Sequence, residues 1–420
     1  MSGVQLSSSL SSSLGWTSSG SGVSVSDTSD LSGFSSAQIA SLSTLQTAAL
    51  TTGQIAAIST GALAGMSTAQ LRGLSTKSIS SLTTLQVRGL TTAQLNALQS
   101  DQIEALGSDQ LRALTTTQMA SLKLDQVKAI AADRVGKLIN GQLTALSNSQ
   151  IQALTTDQIM GLIETQIAAL STEQIASLKT QQIQAIETRD LASFSNAQIK
   201  AMTTGQYTSL TTSQIAGMRV AQITAMDTDD IRSLRSDQMA ALTTAQVMGL
   251  TGTQVTALQG KQVSAMETQD IAVLSSLQIL AMGSTQMAAL GSAQLIAMNS
   301  AQIGAMTANQ LVMLKPTQFS AIEGRDLLGL SAAKISALST GQVASLTTNQ
   351  IATLTTDQIA AIETGDLVTL NSRQLAAITT TQAQALKTSQ LQAMLGVQIA
   401  AIPTATFAAL TPPQVSSFTG

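Results

Sequence analysis

Residues 155–178 read Thr155-Thr-Asp-Gln-Ile-Met-Gly-Leu162, Ile163-Glu-Thr-Gln-Ile-Ala-Ala-Leu170 and Ser171-Thr-Glu-Gln-Ile-Ala-Ser-Leu178. Each of these octads carries Gln at its fourth place, Ile at its fifth and Leu at its eighth. Followed outward, the spacing holds without insertion or deletion. From Phe34 an apolar residue recurs every eight positions as far as Phe418, which makes 48 octads. With Ser35 as position one and Leu42 as position eight, the consensus is (Ser/Thr)-Thr-x-Gln-Ile-x-Ala-Leu. Position four is Gln in 38 of the 48 octads, and position eight is always Leu, Met, Ile or Phe. A period this strict places every repeat in the same slot of one regular structure.

Within the octad, three independent signals give a helical register. Ser or Thr at position one is an N-cap, and Gln three residues later completes a capping box, as in Ser171 with Gln174 and Thr155 with Gln158. Pro316, Pro403, Pro412 and Pro413 all fall at positions one to three, where a helix start tolerates a missing N–H. Of 21 acidic residues in the repeats, 20 lie at positions one to four, and only Glu104 lies later. Carboxylates favour that end of a helix.

The expected fold is therefore all-α, a solenoid of 48 octapeptide repeats, each a helix of one to two turns with a Ser/Thr N-cap. A β-solenoid is the alternative, favoured by the Thr content and the β-branched position five. Against it, Gln-Ile-x-Ala-Leu does not alternate with period two. One continuous helix is disfavoured, because eight residues overshoot two turns by about 80° and would wind the apolar stripe around the rod. A single octad cannot bury its own apolar face, so stability must come from stacking on neighbours. Small residues at position seven (Ala49, Gly65, Gly73, Ser81) let adjacent helices approach closely. Two or three octads per superhelical turn are expected.

Composition narrows the function. Hydrophobic residues make up 44% of the chain and charged residues only 10%, with no Cys and no His. That excludes disulfides, Cys/His zinc sites and histidine acid–base chemistry. A formal net charge of −3 gives no electrostatic case for nucleic acid. No apolar run is long enough to span a membrane as a helix. The 16 methionines sit mostly at position eight, as core, and Tyr207 takes the place of Ile at position five. No catalytic residue, cofactor or resident metal is expected, and the chain is not read as an enzyme. Residues 1–33 form a Ser/Gly-rich leader or irregular N-terminal cap containing Trp16, without the features of a conventional signal peptide. Residues 34–420 form the solenoid.

Five octads depart together from the consensus. They begin Glu187-Thr-Arg-Asp190, Asp227-Thr-Asp-Asp230, Glu267-Thr-Gln-Asp270, Glu323-Gly-Arg-Asp326 and Glu363-Thr-Gly-Asp366. Block duplication of a five-octad unit accounts for the spacing. The alternative is that five octads approximate a whole number of turns, so that these carboxylates form an acidic stripe able to hold calcium or a basic partner.

The stretch Leu354-Thr-Thr-Asp-Gln-Ile-Ala-Ala-Ile362 resembles low-complexity octapeptide repeats of bacterial surface and secreted proteins. The resemblance implies an exported protein, extracellular or on the cell surface, that leaves the cell without a conventional cleaved signal peptide. It transfers no functional residue. The expected function is structural: a rod, stalk or filament-forming subunit that self-associates end to end. A solenoid binding module, such as an adhesin or secreted effector, is the alternative. Ice or mineral binding through Thr rows at positions one and two is a third reading.

Overall fold

A capping box at the head of most octads decides where helix begins. In the computed structural model, which describes residues 17–19, 22–24 and 31–418, 48 helices of four to six residues run from Ser36–Ala40 to Pro412–Ser416. In helix Thr172–Ser177 the Gln174 N–H donates to Ser171 Oγ at 3.2 Å, and the Ser171 N–H donates to Gln174 Oε1 at 3.0 Å. Thr155 and Gln158 form the same box, at 3.1 and 2.9 Å. Helices end without a left-handed residue. The backbone at position eight opens to an extended conformation, as at Leu178 (φ −58°, ψ 138°), and the next cap follows at once. Among the described residues, strand is confined to Thr17–Ser19 paired antiparallel with Gly22–Ser24. The β-solenoid alternative is thereby set aside.

Side-chain burial follows the octad. Positions four, five and eight point inward, while positions one to three and six face solvent. Ile151, Ile175 and Ile359 at position five are fully buried, and Leu178 and Leu354 at position eight nearly so. Tyr207 fits the same core slot, and its hydroxyl donates to the Ile199 carbonyl at 2.5 Å. Tyr207→Phe keeps the ring and loses this bond. It is expected to cost about 1 kcal/mol, read as a small drop in the denaturation midpoint.

The chain divides into two compact units, residues 1–209 and 210–420, and one stacking rule holds inside each. Helices pack on the helix three octads away, as Gly260–Ala265 does on both Ser236–Ala240 and Ser284–Ala289. Position-four side chains reach slightly further, to carbonyls 28 and 31 residues back. Both relations hold when a turn contains about 28 residues, or three and a half octads. This exceeds the two or three octads expected, because each short helix is followed by an extended corner. Small residues at position seven do permit close contact: a Cβ on Gly65 would lie 2.5 Å from the Ser36 carbonyl oxygen.

The octad pattern also reaches back beyond Phe34. Leu31 is fully buried, and the Phe34 N–H donates to its carbonyl at 3.1 Å, the bond that Leu42 makes with Ile39 at 3.2 Å. Leu31 and Phe34 thus occupy positions five and eight of the octad Asp27-Thr-Ser-Asp-Leu-Ser-Gly-Phe34. Most of the expected leader or cap, Trp16 included, lies outside the described residues.

Candidate functional site: a glutamine ladder and its acidic interruptions

A helix of five or six residues leaves its last carbonyls without intrahelical donors. The glutamine at position four of a later octad supplies them. Gln246 Oε1 accepts the Thr243 N–H at 2.8 Å, which is its half of the capping box. Its Nε2 donates to the carbonyls of Ile215 at 2.8 Å and Met218 at 2.6 Å, positions five and eight of the octad four back. Gln118 does the same to Val87 and Leu90, and Gln358 to Leu327 and Leu330. One amide therefore starts its own helix and closes the end of another, one turn away.

Three octads without Gln keep a donor in this slot. Arg134 Nη1 donates to the Glu104 and Leu106 carbonyls at 2.5 and 2.6 Å, Lys334 Nζ to the Gly304 carbonyl, and Thr406 Oγ1 to the Ile378 carbonyl at 3.4 Å. The capping box explains only the acceptor end of the amide. Glutamate would serve a capping box equally well, yet position four holds no Glu in any octad. That missing residue is the sequence signal for the ladder.

The five acidic octads put a residue without a donor into the slot. Asp190, Asp230, Asp270, Asp326 and Asp366 are all buried. Asp190 Oδ1, Asp270 Oδ1 and Asp326 Oδ2 make no hydrogen bond, whereas Asp366 Oδ1 accepts from the Thr340 hydroxyl at 2.7 Å. Arg189 lies 3.2 Å from Glu187 and 3.3 Å from Asp190; Arg325 lies 2.8 Å from Glu323 and 3.6 Å from Asp326. Desolvation is the main cause that raises the carboxyl pKa of Asp190, Asp270 and Asp326. It pushes Asp230 up to about 7, with the adjacent Asp227 charge adding to it.

At position one of these octads only Asp227 caps its helix, accepting the Asp230 N–H at 2.9 Å. Glu187, Glu267, Glu323 and Glu363 make no side-chain cap bond, since the longer side chain does not fold back onto the position-four N–H. Among the described residues no three acidic side chains converge on a metal-sized site. With about 28 residues per turn, the 40-residue spacing from Glu323 to Glu363 is not a whole number of turns.

The interior offers no ligand cavity in the stretch where it opens between layers. The void lined by Leu250, Val255, Leu258, Val263, Met266, Ile271, Leu274 and Met282 holds about 10 Å³ and is wholly apolar. Among the described residues no helix is long and apolar enough to cross a membrane.

The ladder links the last residues of one octad to the first of another, and that junction is itself a sequence signature: Ala241-Leu-Thr-Thr-Ala-Gln246 spells positions seven and eight followed by one to four. No curated protein matches the chain. The model of the ALTTAQ repeat matches residues 27–60, 55–92, 79–108, 183–220, 221–260, 263–298, 319–356 and 359–395, together more than half of the sequence. The chain belongs to the ALTTAQ repeat family.

Proposed function

We propose that this protein is a structural element, a length-setting rod, stalk or filament subunit on or outside a bacterial cell, whose copies associate end to end. The observation that carries the reading is the uniform use of the octad. Its chemistry of note, the position-four side chain, is spent on joining layers, and the outward positions are mainly small hydroxyl and methyl groups. The exported, bacterial setting rests on the resemblance of the repeat to those of surface and secreted proteins.

End-to-end association is supported by what the outermost described octads leave open. Gln38 and Gln46 are only half-buried, and their Nε2 groups donate to no described residue. At the other end Val415, a position-five residue, is 44% exposed. Phe407 and Phe418 stack there at 5.9 Å without being buried. A second copy would bring donors to orphan carbonyls and apolar surface to apolar surface. Electron microscopy and sedimentation at micromolar concentration test this. Filaments or head-to-tail oligomers that Val415→Glu disperses are expected. Single particles at every concentration would overturn self-association and turn the search to a binding partner.

A further inference from the structure

Where Asp stands at position four, the ladder loses a donor and gains an acceptor. Asp270 is the clearest case. On either side of it Gln262 and Gln278 donate to the Leu234 and Leu250 carbonyls, at 2.8 and 2.9 Å. The same register sets Asp270 over Leu242, whose carbonyl receives no hydrogen bond from the described residues. Asp270 Oδ2 keeps the acceptor half of the arrangement, taking the Glu267 N–H at 3.3 Å. Its Oδ1 has no partner, and the residue is 1% exposed.

Among the described residues no cation faces this carboxyl. On its own octad the other charged group is Glu267, which accepts a hydrogen bond from Gln269 at 2.6 Å. The helices packed against it, Thr244–Met248 and Ser292–Ile296, carry no charged residue. In the octad one turn back, Arg235 and Asp237 are exposed and paired with each other at 2.9 Å. The other acidic octads differ. Arg189 and Arg325 stand beside Asp190 and Asp326, and the Thr340 hydroxyl serves Asp366.

We propose that the Asp270 octad is a proton-operated joint: a protonated carboxyl presents an O–H where other octads present the glutamine N–H, and loss of the proton opens the ladder at this layer. Desolvation raises the carboxyl pKa in the folded chain, with the Glu267 charge acting in the same direction and the Glu267 N–H against it. A folded pKa above the unfolded one gives stability that is complete below the unfolded value and is lost as pH rises through the folded value. Acid therefore tightens the joint and neutral pH loosens it. The joint goes beyond the structural role proposed above and does not depend on it.

Melting curves of the full chain from about pH 8 down to below the ordinary carboxylate value of 3.8 test this in wild type, Asp270→Gln and the exposed control Asp357→Asn. Asp270→Gln restores the consensus. It is expected to raise the melting temperature at the upper pH by about 2–4 °C, to leave it unchanged at the lower pH, and to flatten the pH slope between them. Asp357→Asn is expected to keep the wild-type slope. Infrared difference spectra between the two pH values give a second readout, a protonated-carboxyl band that Asp270→Asn removes. A slope unaltered in Asp270→Gln, or an Asp270→Gln chain less stable than wild type at the upper pH, overturns the joint. So does a rise in the wild-type melting temperature with calcium or sodium chloride that choline chloride does not reproduce and Asp270→Gln abolishes, since a metal cation and not a proton would then fill the slot.

Discussion

Gln246→Glu, a change of one amide nitrogen to oxygen, is expected to cost about 3–5 kcal/mol. Size and the capping acceptor are conserved: a carboxylate oxygen still takes the Thr243 N–H. The loss is confined to the other end, where Nε2 donates to the Ile215 and Met218 carbonyls in a site that is 1% exposed. An ionised Glu would set a buried negative charge against two carbonyl oxygens with no compensating donor. Its folded pKa would be raised above the unfolded one, so the penalty shrinks as pH falls. Denaturant midpoints at neutral and acidic pH measure both statements.

Gln246→Lys separates donor loss from mere substitution. Lys334 already occupies this slot and donates to the Gly304 carbonyl, and Arg134 bridges two carbonyls in another octad. A lysine at 246 keeps donors though it gives up the capping acceptor, so its cost is expected to stay near 1–2 kcal/mol, about that of one cap. Equal losses for the Glu and Lys variants would mean that the ladder contributes little and that the capping box carries the conserved glutamine. In a solenoid the damage is local, falling on the layers that the side chain joins. Amide exchange should therefore rise around residues 215–218 and 243–250 before it rises elsewhere.

The features legible in the sequence are those decided within one octad. The cap, the helix register, the buried positions five and eight, and the small residue at seven all follow from relations three or four residues long, and Ser171 with Gln174 or Ile175 with Leu178 shows them in any copy. What the pattern does not reveal is how one octad sits on another. The turn of about 28 residues is set by backbone angles at the corners, such as ψ 138° at Leu178 and ψ 161° at Ser171. A few degrees there, repeated at each octad, change the number of octads per turn without changing a single residue type. The spacing of the acidic octads was readable, but whether it matched a turn was not. Asp at position four reads as helix-start charge, and only the stacking of octads shows that the side chain is buried in the ladder. Leu31 is unmarked for a simpler reason: its octad lacks the Gln and Ile of the consensus, and its burial and the Phe34 bond to its carbonyl place it in register.

Gly329→Val tests the closeness of the layers where no side chain intervenes. Gly329 and Gly304 lie backbone to backbone: a Cβ on Gly304 would come within 2.6 Å of the Gly329 carbonyl oxygen, and one on Gly329 would run into the Ser300 carbonyl oxygen. Backbone atoms cannot swing aside as a flexible side chain does, so the valine must push two layers apart or twist its own helix end. Overpacking of this kind costs about 1–3 kcal/mol. Gly329→Ala should lose part of that, since even one methyl meets the Ser300 carbonyl. Gly365, in helix Thr364–Leu367, is the counter-case, with nothing within 4 Å of an added Cβ. There the methyl restricts the unfolded chain and favours helix, so Gly365→Ala should gain about 0.5–1 kcal/mol. The same Gly-to-Ala change thus has opposite signs at positions seven and three of the octad. If both variants shift the denaturation midpoint in the same direction, close approach at position seven is not what holds the layers at their spacing. The small residue there would then reflect the helix end alone.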